Sequence, residues 1–287
     1  MKNIALIGAN GMLASAVKRL LPDGYRIVEY DLPEFDLTSK SQVLSLRGQN
    51  FQIILNCAAY TNVDGCETNR DLAMQVNGEG PGLLAELALM VGAILIHVST
   101  DFIFPGNKDE PYRETDPTGP LSAYGQSKLL GEQRIAESGL KTYFIVRTSW
   151  LYGADGNNFV ETIIRLAKER DELKVVDDQR GTPTWTDDLA HAIFALLKTK
   201  SYGIYHFSNE GECSWCEFAV EIIDQMCKLE PLKVETVAPI PTEAYPLPAV
   251  RPKYSVLSKN KIRQAVQMDI PAWQQSLSAY LRQRITI

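Results

Sequence analysis

Ile4-Ala5-Leu6-Ile7-Gly8-Ala9-Asn10-Gly11-Met12-Leu13-Ala14 decides how the rest of the chain folds. Four apolar residues run into two glycines, and a helical spacing through Val17, Leu20 and Leu21 follows at once. The pattern reads as strand, glycine turn, helix. Gly8 supplies the backbone angles of a tight turn, and Gly11 lets the main chain approach an anion resting on the helix N-terminus. Ala14, in the third position, is small enough for close packing of helix on strand. Glycine turns of this kind also occur without a ligand, but the place at the end of the first strand strengthens the reading.

Working outward, Tyr25 to Tyr30, Phe51 to Asn56, Ala93 to Val98 and Thr142 to Arg147 read as further strands, with helical patterns between them. That alternation over the first 150 residues predicts a parallel, doubly wound α/β (Rossmann) sheet. Such a sheet holds a dinucleotide at the carboxyl ends of its strands. Gly8, Asn10, Gly11 and Met12 are the candidate contacts in the turn. Asp31, about twenty residues on, is placed to hold a ribose diol, and its charge disfavours a 2'-phosphate, a lean towards NADH. Asp36 and Leu37 lead into a short helix, and Ala58, Ala59 and Tyr60 follow the third strand. These complete the expected cofactor wall.

A helix is expected from about Asn69 to Met90, broken or bent near Pro81. The Pro-, Gly- and acid-rich loop from Pro105 to Pro120 is expected to be exposed and placed to cover a site. Beyond residue 153 the regularity loosens. The expected division is a dinucleotide-binding domain of residues 1–150 plus roughly 171–215, and a smaller C-terminal α/β substrate domain of roughly 151–170 and 216–287. The Pro-rich stretch 239–252 reads as an ordered loop that returns Arg251 to the cleft.

At 287 residues, 45% hydrophobic and 22% charged, the chain can bury a large core. A net charge of -6 argues against a general nucleic-acid binder and against a polybasic membrane protein. The N-terminal apolar run is too short for a signal segment, so a cytoplasmic location is expected. Five cysteines without framework spacing suit a reducing compartment. Cys213-Ser214-Trp215-Cys216 lacks the partners of a zinc site and reads as a helix start rather than a redox pair.

Ser99-Thr100-Asp101 and Tyr124-Gly125-Gln126-Ser127-Lys128 turn a nucleotide fold into a candidate enzyme. On a helix, Tyr124 and Lys128 lie four apart on one face. A phenol titrates near ~10 when unperturbed, and a neighbouring ammonium would lower that value into a usable range. Proton donation by Tyr124 is accordingly expected to fail in alkali as the phenol loses its proton.

With the glycine turn, Ser99-Thr100-Asp101 and Tyr124-x-x-x-Lys128 in place, the chain resembles an extended short-chain dehydrogenase/reductase. More narrowly, it resembles the subgroup that reduces dTDP-4-dehydro-L-rhamnose with NADH or NADPH. Asn56 to Asp64, Thr100 to Gly106, Arg147-Thr148-Ser149-Trp150, Gly156 to Phe159, Asp178 to Thr184, Ala244-Tyr245-Pro246 and Arg251-Pro252 carry that likeness. The resemblance implies that Tyr124 gives the proton to the new alkoxide. Lys128 would hold the nicotinamide ribose, and Thr100 would bond the reacting oxygen. It further implies that Asp101 and Trp150 touch the sugar nucleotide and that Arg251 meets a phosphate; a structural ion pair is the other reading of Arg251.

Two positions depart from the pattern. Phe102 stands where a tyrosine is common, and Ser15 and Ala16 occupy the neighbourhood of a glutamate that bridges some relatives through magnesium. No metal is therefore expected, and the oligomer, a homodimer included, stays open. A catalytically silent relative acting as a regulatory subunit, or an epimerase or dehydratase on another nucleotide sugar, are the competing expectations.

Overall fold

The computed structural model describes residues 1–286. Its central sheet contains β1 (Lys2–Ile7), β2 (Tyr25–Tyr30), β3 (Ile53–Asn56), β4 (Ile94–Thr100), β5 (Tyr143–Thr148) and β6 (Gly203–His206). The order is β6-β5-β4-β3-β1-β2, and every pairing is parallel. Ile4 to Ile7 and Ile53 to Asn56 are buried throughout, as strands covered on both faces must be.

One face carries Leu13, Ala16 and Val17 of helix Met12–Arg19 against Leu189, Ile193 and Leu196 of helix Thr186–Leu197. The other carries Leu84, Leu87 and Ala88 of helix Gly80–Val91 with Ile135 of helix Ala123–Glu137. The chain steps from β1 out to β2 and then crosses back to β3 on the far side of β1. Gly8 and Ala58, just past β1 and β3, therefore meet at the point where strand order reverses, the crevice in which such sheets take ligands.

A second core gathers Val160, Ile163, Leu173, Phe218, Ile222, Trp273 and Leu277. Helices Phe159–Glu169, Trp215–Met226 and Trp273–Thr286 supply most of it, with the parallel strand pair Glu172–Val176 and Thr236–Ile240. Ser214 starts helix Trp215–Met226 with a capping box to Glu217, and this agrees with reading the Cys213 to Cys216 stretch as a helix start. The cores do not follow the expected boundary everywhere. Leu173 and Val175 join the second core, whereas Ile262 of helix Asn260–Val266 packs on the first. Hydrogen bonding of Glu172–Val176 to a strand 64 residues away in register, invisible to local periodicity, decides the first case.

Two local expectations are refined by the structure. The region from Asn69 to Met90 is helical as expected, but its irregularity is a change of helix type: Arg70–Ala73 runs into a π-helix Met74–Glu79 and then Gly80–Val91, with Pro81 in the first turn of the last piece. The loop from Pro105 to Pro120 is anchored rather than free. Tyr112 is buried and stacks on Phe104 at 4.3 Å, and its segment bridges Leu257. No residue of that loop lines the cleft, so it does not cover the site.

Candidate active site

A cleft of about 830 Å³ runs along the carboxyl edge of the sheet. The glycine turn forms one wall. Gly8 has φ +78°, and a Cβ there would sit 2.5 Å from the Ala58 backbone nitrogen. Only glycine fits both demands. Gly11 begins helix Met12–Arg19 with no side-chain cap and no acid in the first turn, so free N–H groups and the positive helix end face the cleft. These residues fit a dinucleotide diphosphate. Gly8→Ala is expected to cost roughly 1–3 kcal/mol of stability from backbone strain alone and to weaken NADPH binding; urea unfolding and fluorescence titration check both.

Asn10, Met12, Asp31, Asp36, Leu37, Ala58 and Ala59 also line the cleft. Asp31 is already engaged, accepting from the Asn10 N–H at 2.7 Å and the Leu32 N–H at 2.8 Å. It thus ties β2 to the glycine turn. Tyr60 does not reach the cleft, contrary to expectation. Its backbone N–H and carbonyl are both taken by the Asn77 amide, at 2.8 and 3.0 Å, and its ring packs with Cys66 and Ala73. Asn77 comes from the π-turn, which no local pattern around Tyr60 announces.

Ser122 caps helix Ala123–Glu137 through the Gly125 N–H, and the helix carries Tyr124 and Lys128 into the same cleft as Thr100 and Asp101. Phe102 sets its ring edge-on to Tyr124 at 5.5 Å, so the residue that departs from the family pattern packs the proposed proton donor. The surroundings of the Tyr124 phenol push its pKa the opposite way from the expectation. Burial raises its pKa, helped by the Asp101 charge and opposed by Thr100, while Lys128 is not among the charges that act on it. Lys128 Nζ instead donates to the Val98 carbonyl at 2.6 Å and lies 3.3 Å from His97 Nε2. Burial lowers its pKa to about 8, against the pull of Glu132 and Cys57.

An alkaline loss of activity is therefore expected from Lys128 before Tyr124. As pH rises through about 8 the ammonium loses its proton while the phenol keeps its own. We expect kcat to fall over that interval, as a pH profile taken at saturating substrate will show.

Burial pushes the Asp101 carboxyl up to about 6. Its Oδ1 accepts from Thr100 at 3.0 Å, and the Ser255 hydroxyl also interacts with the carboxyl, both opposing the rise. Trp150, at φ +46°, stacks on Trp215 with centroids 3.5 Å apart, and Gly181 leaves room for its ring. Sequence reasoning missed Trp215, Asp155 and Asn157, all of which line the cleft. Asn157 at least lay within a stretch that carried the family likeness. Arg251 arrives already paired. Its guanidinium grips Asp64 at 2.8 and 3.1 Å at the junction with a second cavity of about 560 Å³. The structural ion pair is thus present, and any phosphate must share Arg251 with Asp64. Among the described residues, no cluster of three or more His, Cys, Asp or Glu side chains could hold a metal.

A Tyr-x-x-x-Lys helix beside a glycine turn, both at the carboxyl edge of a doubly wound sheet, defines the architecture of a dinucleotide-dependent short-chain dehydrogenase/reductase. Comparison with known proteins narrows the class. The chain belongs to the RmlD substrate binding domain family, whose model matches residues 1–285. It is 39% identical to the dTDP-4-dehydrorhamnose reductase of Burkholderia thailandensis, over 97% of this chain and 98% of the relative. A solved dTDP-4-dehydrorhamnose reductase from Bacillus anthracis, in complex with NADP, is 43% identical with a TM-score of 0.94, covering 99% of this chain and 100% of that one. A solved dTDP-4-dehydrorhamnose reductase from Clostridium acetobutylicum is 42% identical with a TM-score of 0.93, covering 99% of both chains.

Proposed function

We propose that this protein reduces the C4 ketone of dTDP-4-dehydro-L-rhamnose to give dTDP-L-rhamnose, using NADPH or NADH. The observation that carries the reading is the convergence of Thr100, Tyr124 and Lys128 with the glycine turn in one cleft. The near full-length kinship to dTDP-4-dehydrorhamnose reductases supplies the substrate. When bound, the cofactor supplies a hydride to C4.

The residues of the chain do the rest. Gly8, Asn10, Gly11 and Met12 hold the diphosphate, while Asp31, Asp36 and Leu37 face the adenosine end and Ala58 and Ala59 form the opposite wall. Tyr124 gives its proton to the C4 oxygen, which Thr100 steadies. Burial makes Tyr124 a reluctant acid, and Lys128, one turn on along the same helix, holds the nicotinamide ribose. Asp101, whose carboxyl lines the cleft and also meets the Ser255 hydroxyl, accepts from a sugar hydroxyl. Trp150 covers the sugar, and Arg251, held by Asp64, reaches towards the diphosphate.

No helix among the described residues is long and apolar enough to cross a membrane, and we place the reaction in the cytoplasm. Purified enzyme mixed with dTDP-4-dehydro-L-rhamnose should oxidise one NADPH per sugar consumed. Tightly retained NAD+ with no net cofactor oxidation would instead mark an epimerase.

A further inference from the structure

Behind the cleft, a buried chain of hydrogen bonds fixes the proton of one histidine. The Ala58 N–H donates to Asn56 Oδ1 at 3.1 Å. That contact orients the amide, so Asn56 Nδ2, which has only protons to offer, faces His97 Nδ1 at 3.0 Å. Nδ1 must accept. Burial holds the His97 pKa well below its ordinary value, so the ring is neutral. A neutral imidazole that accepts at Nδ1 carries its proton on Nε2. Nε2 lies 3.3 Å from Lys128 Nζ.

Two donors cannot share that contact, and an ammonium has no lone pair. We propose that His97 is a positioning residue for Lys128: fixed by Asn56 and Ala58 as the Nε2–H tautomer, it donates to Lys128 Nζ and favours the amine over the ammonium. One amine N–H goes to the Val98 carbonyl. The other is left for the cleft. The inference rests on reading Lys128 as the lysine of a reductase site.

Charging Lys128 then has a defined structural cost. Nε2 must become an acceptor, the ring proton must move to Nδ1, and the Asn56 amide must turn over to receive it. That frees the Ala58 N–H, which belongs to the cleft wall facing Gly8. Proton uptake at Lys128 is thereby tied to a backbone donor at the cofactor. The other groups that act on Lys128 are Glu132, one turn on along its own helix, and the Cys57 thiol on the loop after β3, both favouring the ammonium, with burial opposing it. Tyr124 stands one turn before it.

The test uses the full chain labelled with [ε-13C]lysine, the Lys128 resonance being assigned with Lys128→Met. In the wild type it should titrate near 8. His97→Gln places a carbonyl where it can accept from the ammonium, and Asn56→Leu frees the ring to change tautomer. Each should raise the Lys128 midpoint by about one unit, tenfold in proton affinity, and carry the alkaline limb of kcat with it. If His97→Gln does not fold, Asn56→Leu reads the same quantity. A midpoint unmoved or lowered in the variants that fold overturns the inference. The resonance reports without turnover, so a wild type inactive on dTDP-4-dehydro-L-rhamnose would refute the reductase reading while the titration still decides the role of His97.

Discussion

Tyr124→Phe should lower kcat by about 10²- to 10⁴-fold, the usual worth of a positioned proton donor, while NADPH binds as before. The ring of Tyr124 packs edge-on against Phe102, and phenylalanine preserves that contact. Its hydroxyl alone is removed. The loss should therefore fall on the chemical step and leave the melting temperature near that of the wild type. Single-turnover kinetics, which separate chemistry from binding and release, provide the check. A KM increase at unchanged kcat would show that the hydroxyl binds rather than reacts.

The second large effect concerns stability. Arg147 on β5 and Glu132 on helix Ala123–Glu137 are both 4% exposed in their side chains and share three contacts of 2.7 to 3.2 Å. Ser99 Oγ donates to the same carboxylate at 2.5 Å, and the guanidinium lies over the Phe104 ring. This knot joins β4, β5 and the helix that carries Tyr124 and Lys128. Arg147→Met leaves Glu132 buried without its cation and should cost about 3–5 kcal/mol. The double variant Arg147→Met with Glu132→Met should recover much of that loss, because no charge is then stranded. Urea denaturation of the three variants completes the cycle. A double variant no more stable than Arg147→Met would show that Glu132 is not the group left uncompensated.

What the sequence made legible follows from short-range rules. Gly8 and Gly11 mark the turn because a backbone demand at the end of an apolar strand admits few residues. Tyr124 and Lys128 share a helix because the spacing of four is a property of the helix itself. The parts that escaped are set by contacts between distant segments. Tyr60 follows a strand with small neighbours, yet Asn77 holds its main chain and its ring packs with Cys66 and Ala73. The Tyr124 phenol has a lysine four residues on, yet that lysine is drawn to Val98 and His97, so burial sets the phenol's pKa. The loop after Phe104 is polar in composition, and one buried ring, Tyr112, pins it. His97 offered a signal that went unused: a histidine inside an apolar strand must find polar partners there.

The most direct trial of the account follows the hydride. [4-2H]NADPH carrying deuterium on the transferred face, mixed with dTDP-4-dehydro-L-rhamnose and the wild-type enzyme, should yield dTDP-L-rhamnose with one deuterium at C4 by proton NMR and one NADP+ per sugar. Deuterium absent from C4, or sugar rearranged without net oxidation of NADPH, would contradict it.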